Sequence, residues 1–133
     1  MGREVVSRRT ALGVVAGLSA VAGCLSEDDC QTVVDRTVSV ERSGHRVYDV
    51  DAEAGQRLYV RLRRSEGPSA RLHVFDPNEE PLLELEDVDR IERIFEITDG
   101  GSYSVVTEND SSTDIGQWLT TVAVYRGWCS DVF

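Results

Sequence analysis

The chain has 133 residues, of which 41% are hydrophobic and 29% are charged, and its formal net charge is −10. All 14 basic residues are arginine. This length suffices for one domain with a single hydrophobic core. The acidic balance argues against a nucleic-acid-binding protein, because contact with phosphates needs a basic surface.

The first 23 residues have the organisation of a secretory signal. A short polar segment contains Arg8 and Arg9, and residues 11–23 carry no charge. That apolar run is too short to cross a hydrocarbon core, which needs about 20 residues in a helix. The paired arginines followed by Leu12 resemble the twin-arginine export motif, which a receptor reads as an address. We predict a cleavable signal helix; the alternative is a buried N-terminal helix that carries the arginine pair by chance.

The segment Val21-Ala22-Gly23-Cys24 resembles the lipobox of lipoprotein precursors, whose cysteine sulfur receives a lipid. This resemblance implies that residues 1–23 are a signal peptide and that residues 24–31 are a lipidated acidic tether. The remaining domain then covers residues 32–133. The mature protein is expected on the extracytoplasmic side of the cell membrane, held there by the lipid on Cys24.

Removal of residues 1–23 would leave a formal charge of −12 on a chain without lysine. Both features resemble the secreted proteins of extremely halophilic archaea. At molar salt the Debye length falls to about 3 Å, so the self-repulsion of such a charge is largely screened. We interpret the acidity as a response to the solvent rather than as the sign of a basic partner.

Two cysteines remain in the mature chain once Cys24 is lipidated. Cys30 and Cys129 lie near its opposite ends, and an even number outside the membrane favours a disulfide. Such a bond would stabilise the fold by roughly 4 to 5 kcal/mol on the chain-entropy model. Two buried free thiols are the alternative. No metal or cofactor is predicted, because there is no second cysteine pair and the two histidines are far apart in sequence.

From Thr32 onward, hydrophobic and polar residues alternate with a period of two, as in half-buried strands. Turn-forming sequences such as Thr98-Asp99-Gly100-Gly101 separate the alternating segments. Short strands spaced in this way, with no helical pattern between them, predict an all-β fold, an antiparallel jelly-roll-like β-sandwich. Its eight strands are predicted around residues 33–40, 46–52, 57–63, 70–75, 82–86, 91–97, 102–107 and 119–125.

Three segments of this pattern carry a resemblance to known modules. Residues 48–60, 72–78 and 95–105 combine strands, glycine-containing turns and the strand entry Gly101-Ser102-Tyr103. Together they look like the jelly-roll modules of the bacterial pre-peptidase C-terminal domain and of the Golgi-dynamics (GOLD) domain. Those families are non-catalytic interaction modules. The resemblance therefore implies a binding or accessory module that makes up nearly the whole mature chain.

The sequence predicts no catalytic residues. A nucleophile needs a base within hydrogen-bond reach, and only His45, in a turn, and His73, on an outward strand position, offer an imidazole. There is no Gly-x-Ser-x-Gly motif. One loop collects several oxygen donors without the spacing of a calcium loop, so a solvated acidic loop is favoured over a metal site. Those donors are Glu108, Asn109, Asp110 and Asp114.

Several arginine and aromatic residues are predicted at outward strand positions, although the chain as a whole is acidic. If Leu58, Val60 and Leu62 face the core, the residues between them face outward. Guanidinium groups suit carboxylate and sulfate, so this surface is a candidate for binding an anionic glycan or an acidic envelope protein. The favoured interpretation, however, is that the arginines pair with carboxylates on neighbouring strands, since such pairs commonly complete an exposed sheet face. The candidate binding face comprises Arg57, Tyr59, Arg61, Arg63, Arg71, His73 and Trp118; Trp128 is predicted to pack over the disulfide instead.

Three functional hypotheses follow from these features. The leading one is a lipid-anchored, non-catalytic binding or accessory module of the cell envelope. Clustered arginines without carboxylates in reach would support it, whereas arginines that each pair with a carboxylate would remove only the binding-face part. The second is a small exported enzyme that acts on a glycan through two carboxyl groups facing each other across a cleft. The third is a structural envelope protein without a ligand.

Overall fold

The structure of the protein is a computed structural model that describes residues 29–127 and residue 129. The predicted signal peptide with Arg8 and Arg9, the lipidation site Cys24 and the predicted position of Trp128 lie outside the described residues. Within those residues every regular element is a β-strand. No helix of the described part of the chain is long and apolar enough to span a membrane.

Eight strands form in the order that the alternating pattern predicts. Two of them, β6 and β8, lie next to β3 in space although they are distant from it in sequence. The strands are β1 (Asp29–Val40), β2 (His45–Ala52), β3 (Arg57–Glu66), β4 (Ala70–Phe75), β5 (Pro81–Val88), β6 (Arg90–Glu96), β7 (Gly101–Glu108) and β8 (Gly116–Arg126).

The strands form two four-stranded sheets in which every pairing is antiparallel. Sheet I has the order β1-β8-β3-β6, and sheet II has the order β2-β7-β4-β5. Consecutive strands along the chain mostly alternate between the two sheets, which is the arrangement of a jelly roll. The predicted antiparallel, jelly-roll-like β-sandwich is therefore confirmed.

The core lies between the sheets and is built from the inward positions of each alternating strand. On β3 these are Leu58, Val60 and Leu62, and on β8 they include Val122 and Val124, all at most 2% exposed. Burial of large aliphatic side chains of this kind stabilises a fold by about 1.5 to 3 kcal/mol each. The same period of two that predicts the strands thus determines which side chains form the core.

Trp118 belongs to this core, so its prediction as an exposed binding aromatic is wrong. It lies on β8 and faces the same side of the sheet as Val122 and Val124. None of its surface is exposed. Its indole Nε1 donates a hydrogen bond to the carbonyl oxygen of Pro68 at 2.9 Å. The polar loop before Trp118 suggested exposure, but the alternation of β8 places the side chain inside.

The predicted disulfide between Cys30 and Cys129 is present. The Cα atoms of the two residues are 5.4 Å apart, and 99 positions separate them in the sequence. Cys30 lies on β1 opposite Tyr125 of β8, so the bond brings the segment after β8 back over the outer face of sheet I. Because β1 begins at Asp29, the sandwich starts three residues before the predicted boundary at residue 32.

Gly67, in the connection between β3 and β4, occupies a position that a side chain cannot share. Its φ is +82°, and a Cβ atom there would lie 2.2 Å from the carbonyl oxygen of Ile115. Gly55 also has a positive φ, +95°, but a Cβ atom there would meet nothing closer than 3.8 Å. Substitutions at the two positions therefore distinguish the cost of the backbone conformation from the cost of a clash with the backbone.

We expect Gly67→Ala to lower the free energy of unfolding by clearly more than Gly55→Ala. Both variants place a side chain on a residue in the left-handed conformation, which costs about 1 to 2 kcal/mol of stability. Only Gly67→Ala adds a clash with the backbone. Urea unfolding monitored by circular dichroism measures both. Equal losses in the two variants would contradict the packing described for the end of β3.

Candidate functional site

The predicted binding face is divided between the two sides of the sandwich. Arg57, Arg61 and Arg63 lie on β3 in sheet I, whereas Arg71 and His73 lie on β4 in sheet II. The outer faces of two packed sheets point in opposite directions. The structure therefore does not bring the two groups together, and a single face that contains all of them is wrong.

On sheet II, Arg71 is surrounded by acidic groups. Its guanidinium nitrogens lie 3.8 Å from Glu86, 4.0 Å from Glu108 and 3.8 Å from Asp110. His73 Nε2 is 3.0 Å from Glu108 Oε1, and its ring stacks on Phe75. Here the interpretation as cross-strand charge pairing is correct, because three carboxylates surround the arginine. Its buried Nε, like that of Arg61, has no hydrogen-bond partner among the described residues.

The oxygen donors considered for calcium serve other purposes. Glu108 and Asp110 contact Arg71, and the buried Asn109 donates from Nδ2 to the carbonyl oxygens of Val40 and Asp114. Asn109 Oδ1 accepts the backbone N–H of Ser111. Among the described residues, no group of three or more His, Cys, Asp or Glu side chains is placed to hold a metal ion.

On sheet I, Tyr59 is buried, although its outward position on β3 predicts exposure. None of its surface is exposed, and it packs with Tyr125 and Cys129 in a small cluster that Cys30 also touches. The disulfide holds this cluster on the outer face of the sheet. The Tyr59 hydroxyl donates a hydrogen bond to Oε2 of Glu92 on the neighbouring strand β6.

Arg61 is fixed in the middle of the same face. One of its terminal nitrogens donates to Thr121 Oγ1 at 3.3 Å and lies 3.9 Å from Asp35 Oδ1. Thr121 in turn donates to the same carboxylate oxygen at 2.9 Å. The Nε of Arg61 is buried and has no hydrogen-bond partner in the described part of the chain. Arg61 is therefore positioned by its neighbours but only partly satisfied by them.

Arg63 and Arg90 form a pair of like charges. They stand directly opposite each other in the register of β3 and β6. Neither has a carboxylate within 4.0 Å among residues 29–127 and 129. Like charges at opposed positions destabilise a sheet, so this pair is costly for the fold itself. In a chain with 24 acidic residues, arginines left without a counter-ion are unexpected.

These arginines line a groove of about 470 Å³ on the outer face of sheet I. Arg93 of the edge strand β6 also lines the groove, although it stands opposite the inward Val60 and so lies on the other face of β6 from Arg90. Its guanidinium donates to the carbonyl oxygen of Glu92 at 3.3 Å. A volume of this order lies within the range of small-ligand sites, about 300 to 1,000 Å³. The groove is lined by Arg61, Arg63, Arg90, Ile91, Glu92, Arg93 and Leu119.

Sequence reasoning missed Arg90 and Arg93. The alternation of β6 places Arg90 on one face together with Glu92, but nothing in the local pattern says that β6 pairs with β3. That pairing brings Arg90 to Arg63 across a sequence separation of 27 positions. Arg90 is the first residue of β6 and lies just before the predicted strand around residues 91–97, so a search of the predicted strands for outward arginines does not include it.

The charge of the sandwich is distributed unevenly between its two sheets. The strands of sheet I contain eight arginines and five acidic residues, whereas those of sheet II contain two arginines and six acidic residues. Counted over both faces of each strand, sheet I therefore carries a net positive charge and sheet II a net negative one. A cleft lined by one sign of charge raises the local concentration of the opposite ion.

Comparison with known proteins gives little that bears on the site. No family model matches the chain, and no curated protein matches it. One solved structure that is similar is the crystal structure of Aeromonas hydrophila PliG, a periplasmic lysozyme inhibitor of g-type lysozyme. The two are 17% identical, with a TM-score of 0.45 over 74% of this chain and 85% of that one. The candidate site is therefore defined by this chain's own residues.

The buried Tyr59 gives the site a spectroscopic marker. Burial, and next the hydrogen bond to Glu92, raise the pKa of Tyr59 from 10.0 to about 12. Because the folded protein favours the neutral phenol, this contribution to stability is complete below pH 10 and is lost as the pH rises through about 12.

We expect the folded protein to contain a phenol that ionises near pH 12 and that Tyr59→Phe removes. The difference in ultraviolet absorbance between wild type and variant, measured against pH, isolates this group. Circular dichroism confirms that both remain folded over the range. If the phenol that Tyr59→Phe removes ionises near pH 10 instead, the burial of Tyr59 and its contact with Glu92 are contradicted.

Proposed function

We propose that this protein is a twin-arginine-exported lipoprotein of the halophilic archaeal type, anchored outside the membrane through Cys24. In this proposal its β-sandwich, of the pre-peptidase C-terminal or GOLD-like kind, is a non-catalytic module that binds an anionic glycan of the cell envelope. The export motif at Arg8 and Arg9 and the lipobox support the location. The groove on the outer face of sheet I supports the binding.

The opposed Arg63 and Arg90 are the observation that carries this proposal. Their repulsion is a cost that a purely structural sheet face avoids by placing opposite charges across the strands, as Arg71 and Glu86 do on sheet II. An anion bound between two guanidinium groups removes the repulsion and accepts charge-assisted hydrogen bonds from both. A ligand of this kind would account for the pair.

The alternative of a glycan-active enzyme finds no support in the grooves of the described residues. Such an enzyme needs two carboxyl groups about 5 to 10 Å apart across its cleft. Glu92 is the only acidic residue that lines the arginine groove. A second depression of about 380 Å³, between residues 54–57 and 96–98, is lined by one acidic residue, Glu96.

We expect Arg63→Gln combined with Arg90→Gln to weaken binding of an acidic oligosaccharide, with oligogalacturonate as the probe, by at least about tenfold. A hydrogen bond to a charged group contributes about 1.5 to 3 kcal/mol, and the double variant loses several. Calorimetric titration of the mature protein measures the affinity. The unfolding temperature of this variant should equal or exceed that of the wild type, because a repulsion has been removed.

The matched control is Arg42→Gln combined with Arg46→Gln, which changes the net charge equally but lies outside the groove. It should bind oligogalacturonate nearly as tightly as the wild type does. Equal weakening in both double variants would mean that only the net charge matters, and would contradict a specific site. A marked loss of stability in the Arg63 and Arg90 variant would show that the pair is structural.

We expect Cys24→Ser to release the protein from the membrane fraction of the cells that produce it, since a lipid needs the sulfur. Ser26→Ala, which leaves the lipobox intact, should remain with the membranes. Fractionation followed by immunoblotting distinguishes the two variants. Retention of Cys24→Ser in the membrane fraction would contradict the lipid anchor without bearing on the groove.

A further inference from the structure

Glu92 holds an unusual position in the arginine groove. It stands opposite Arg61 in the register of β3 and β6, where a cross-strand ion pair is expected. Among the residues that the structure describes, however, no arginine nitrogen lies within 4.0 Å of its carboxylate. Its Oε2 accepts the hydroxyl of Tyr59 instead. The carboxylate is therefore kept in the groove without neutralising the arginines.

Tyr59 is well suited to hold Glu92 in this position. Its ring is completely buried beneath Tyr125 and the residues of the disulfide, so the hydroxyl cannot turn away from β6 without disrupting that cluster. A phenol that is buried in this way stays protonated, and so it always presents a donor to the carboxylate. Tyr59 is thus a positioning residue, which acts on the groove through Glu92.

The second oxygen of Glu92 is available to a ligand. The side chain is exposed and lines the groove, and its Oε1 makes no hydrogen bond or ion pair within residues 29–127 and 129. A carboxylate oxygen only accepts hydrogen bonds. A ligand that fills the groove must therefore supply a donor at this point or leave a negative charge facing its own anionic groups.

We propose that Glu92 determines the specificity of the groove by selecting an anion that also carries hydroxyl groups, namely a saccharide with carboxylate or sulfate groups. This inference rests on the proposed function and specifies its ligand. Arg63 and Arg90 bind the oxyanion, while Glu92 accepts a hydrogen bond from a sugar hydroxyl. Leu119, which stands opposite Arg63 in the register of β3 and β8, supplies an apolar surface for the C–H groups of the ring. An anion without hydroxyl groups is repelled by Glu92 and gains nothing from it.

The test compares two probes with the same number of residues and the same charge in calorimetric titrations of the mature protein. Oligogalacturonate carries carboxylates and hydroxyls, whereas oligoacrylate carries carboxylates alone. The wild type should bind oligogalacturonate more tightly. Glu92→Leu should lower the ratio of the two affinities by about tenfold, since one hydrogen bond to a charged group is lost while a repulsion is relieved for both probes. Binding of oligoacrylate should become tighter.

Two further variants make the test specific. Glu96→Leu removes an acidic residue from the same strand but outside the arginine groove, and it should keep the preference of the wild type. Tyr59→Phe retains Glu92 but removes the donor that holds it, so the carboxylate can turn to the arginines. This variant should bind both probes more weakly, and Glu92→Leu in the Tyr59→Phe background should restore the binding of oligoacrylate.

An affinity ratio that is unchanged in Glu92→Leu would overturn the hydroxylated ligand while leaving the arginine groove as an anion site. Tighter binding of both probes by the same factor would do the same, because Glu92 would then act only as a repulsive charge. A failure of the proposed function is distinguishable from either result. In that case neither probe binds the wild type, or the variant with Arg63→Gln and Arg90→Gln binds as the wild type does.

Discussion

The disulfide between Cys30 and Cys129 is the constraint on which the outer face of sheet I depends. It closes a loop of about 100 residues, which on the chain-entropy model stabilises the fold by about 4.7 kcal/mol. It also holds Cys129 against Tyr59, and Tyr59 is therefore buried although its strand position faces outward. The Tyr59 hydroxyl donates to Glu92, which lines the groove. The disulfide therefore influences the groove through Tyr59.

The two faces of the sandwich use arginine in opposite ways. On sheet II, three carboxylates lie within 4.0 Å of Arg71, which completes that face without a ligand. On sheet I, the only acidic residue of the groove is bound to Tyr59, and Arg63 and Arg90 face each other uncompensated among the described residues. The difference does not follow from net charge, since an acidic chain has carboxylates to spare. It follows from where the strand pairings place them, and it favours an anion at sheet I.

Most of the fold can be predicted from the sequence, because the determining signals are local. The period of two gives all eight strands, and the even number of cysteines outside the signal gives the disulfide. The site depends on contacts between distant segments and is harder to predict. Alternation places Arg57, Arg61 and Arg63 outward correctly, but it cannot show that β4 lies in the opposite sheet or that β6 brings Arg90 to Arg63. The burial of Tyr59 likewise depends on Tyr125 and Cys129, which are distant from it in sequence.

Binding of an acidic saccharide to the arginines of sheet I can be observed at each guanidinium group through the side-chain Nε–Hε resonances. Titration of the mature protein with oligogalacturonate, followed by nuclear magnetic resonance, observes every guanidinium group at once. We predict saturable shifts at Arg61, Arg63 and Arg90 and none at Arg71. Shifts at Arg71 of equal size, or shifts spread over all arginines without saturation, would contradict the account.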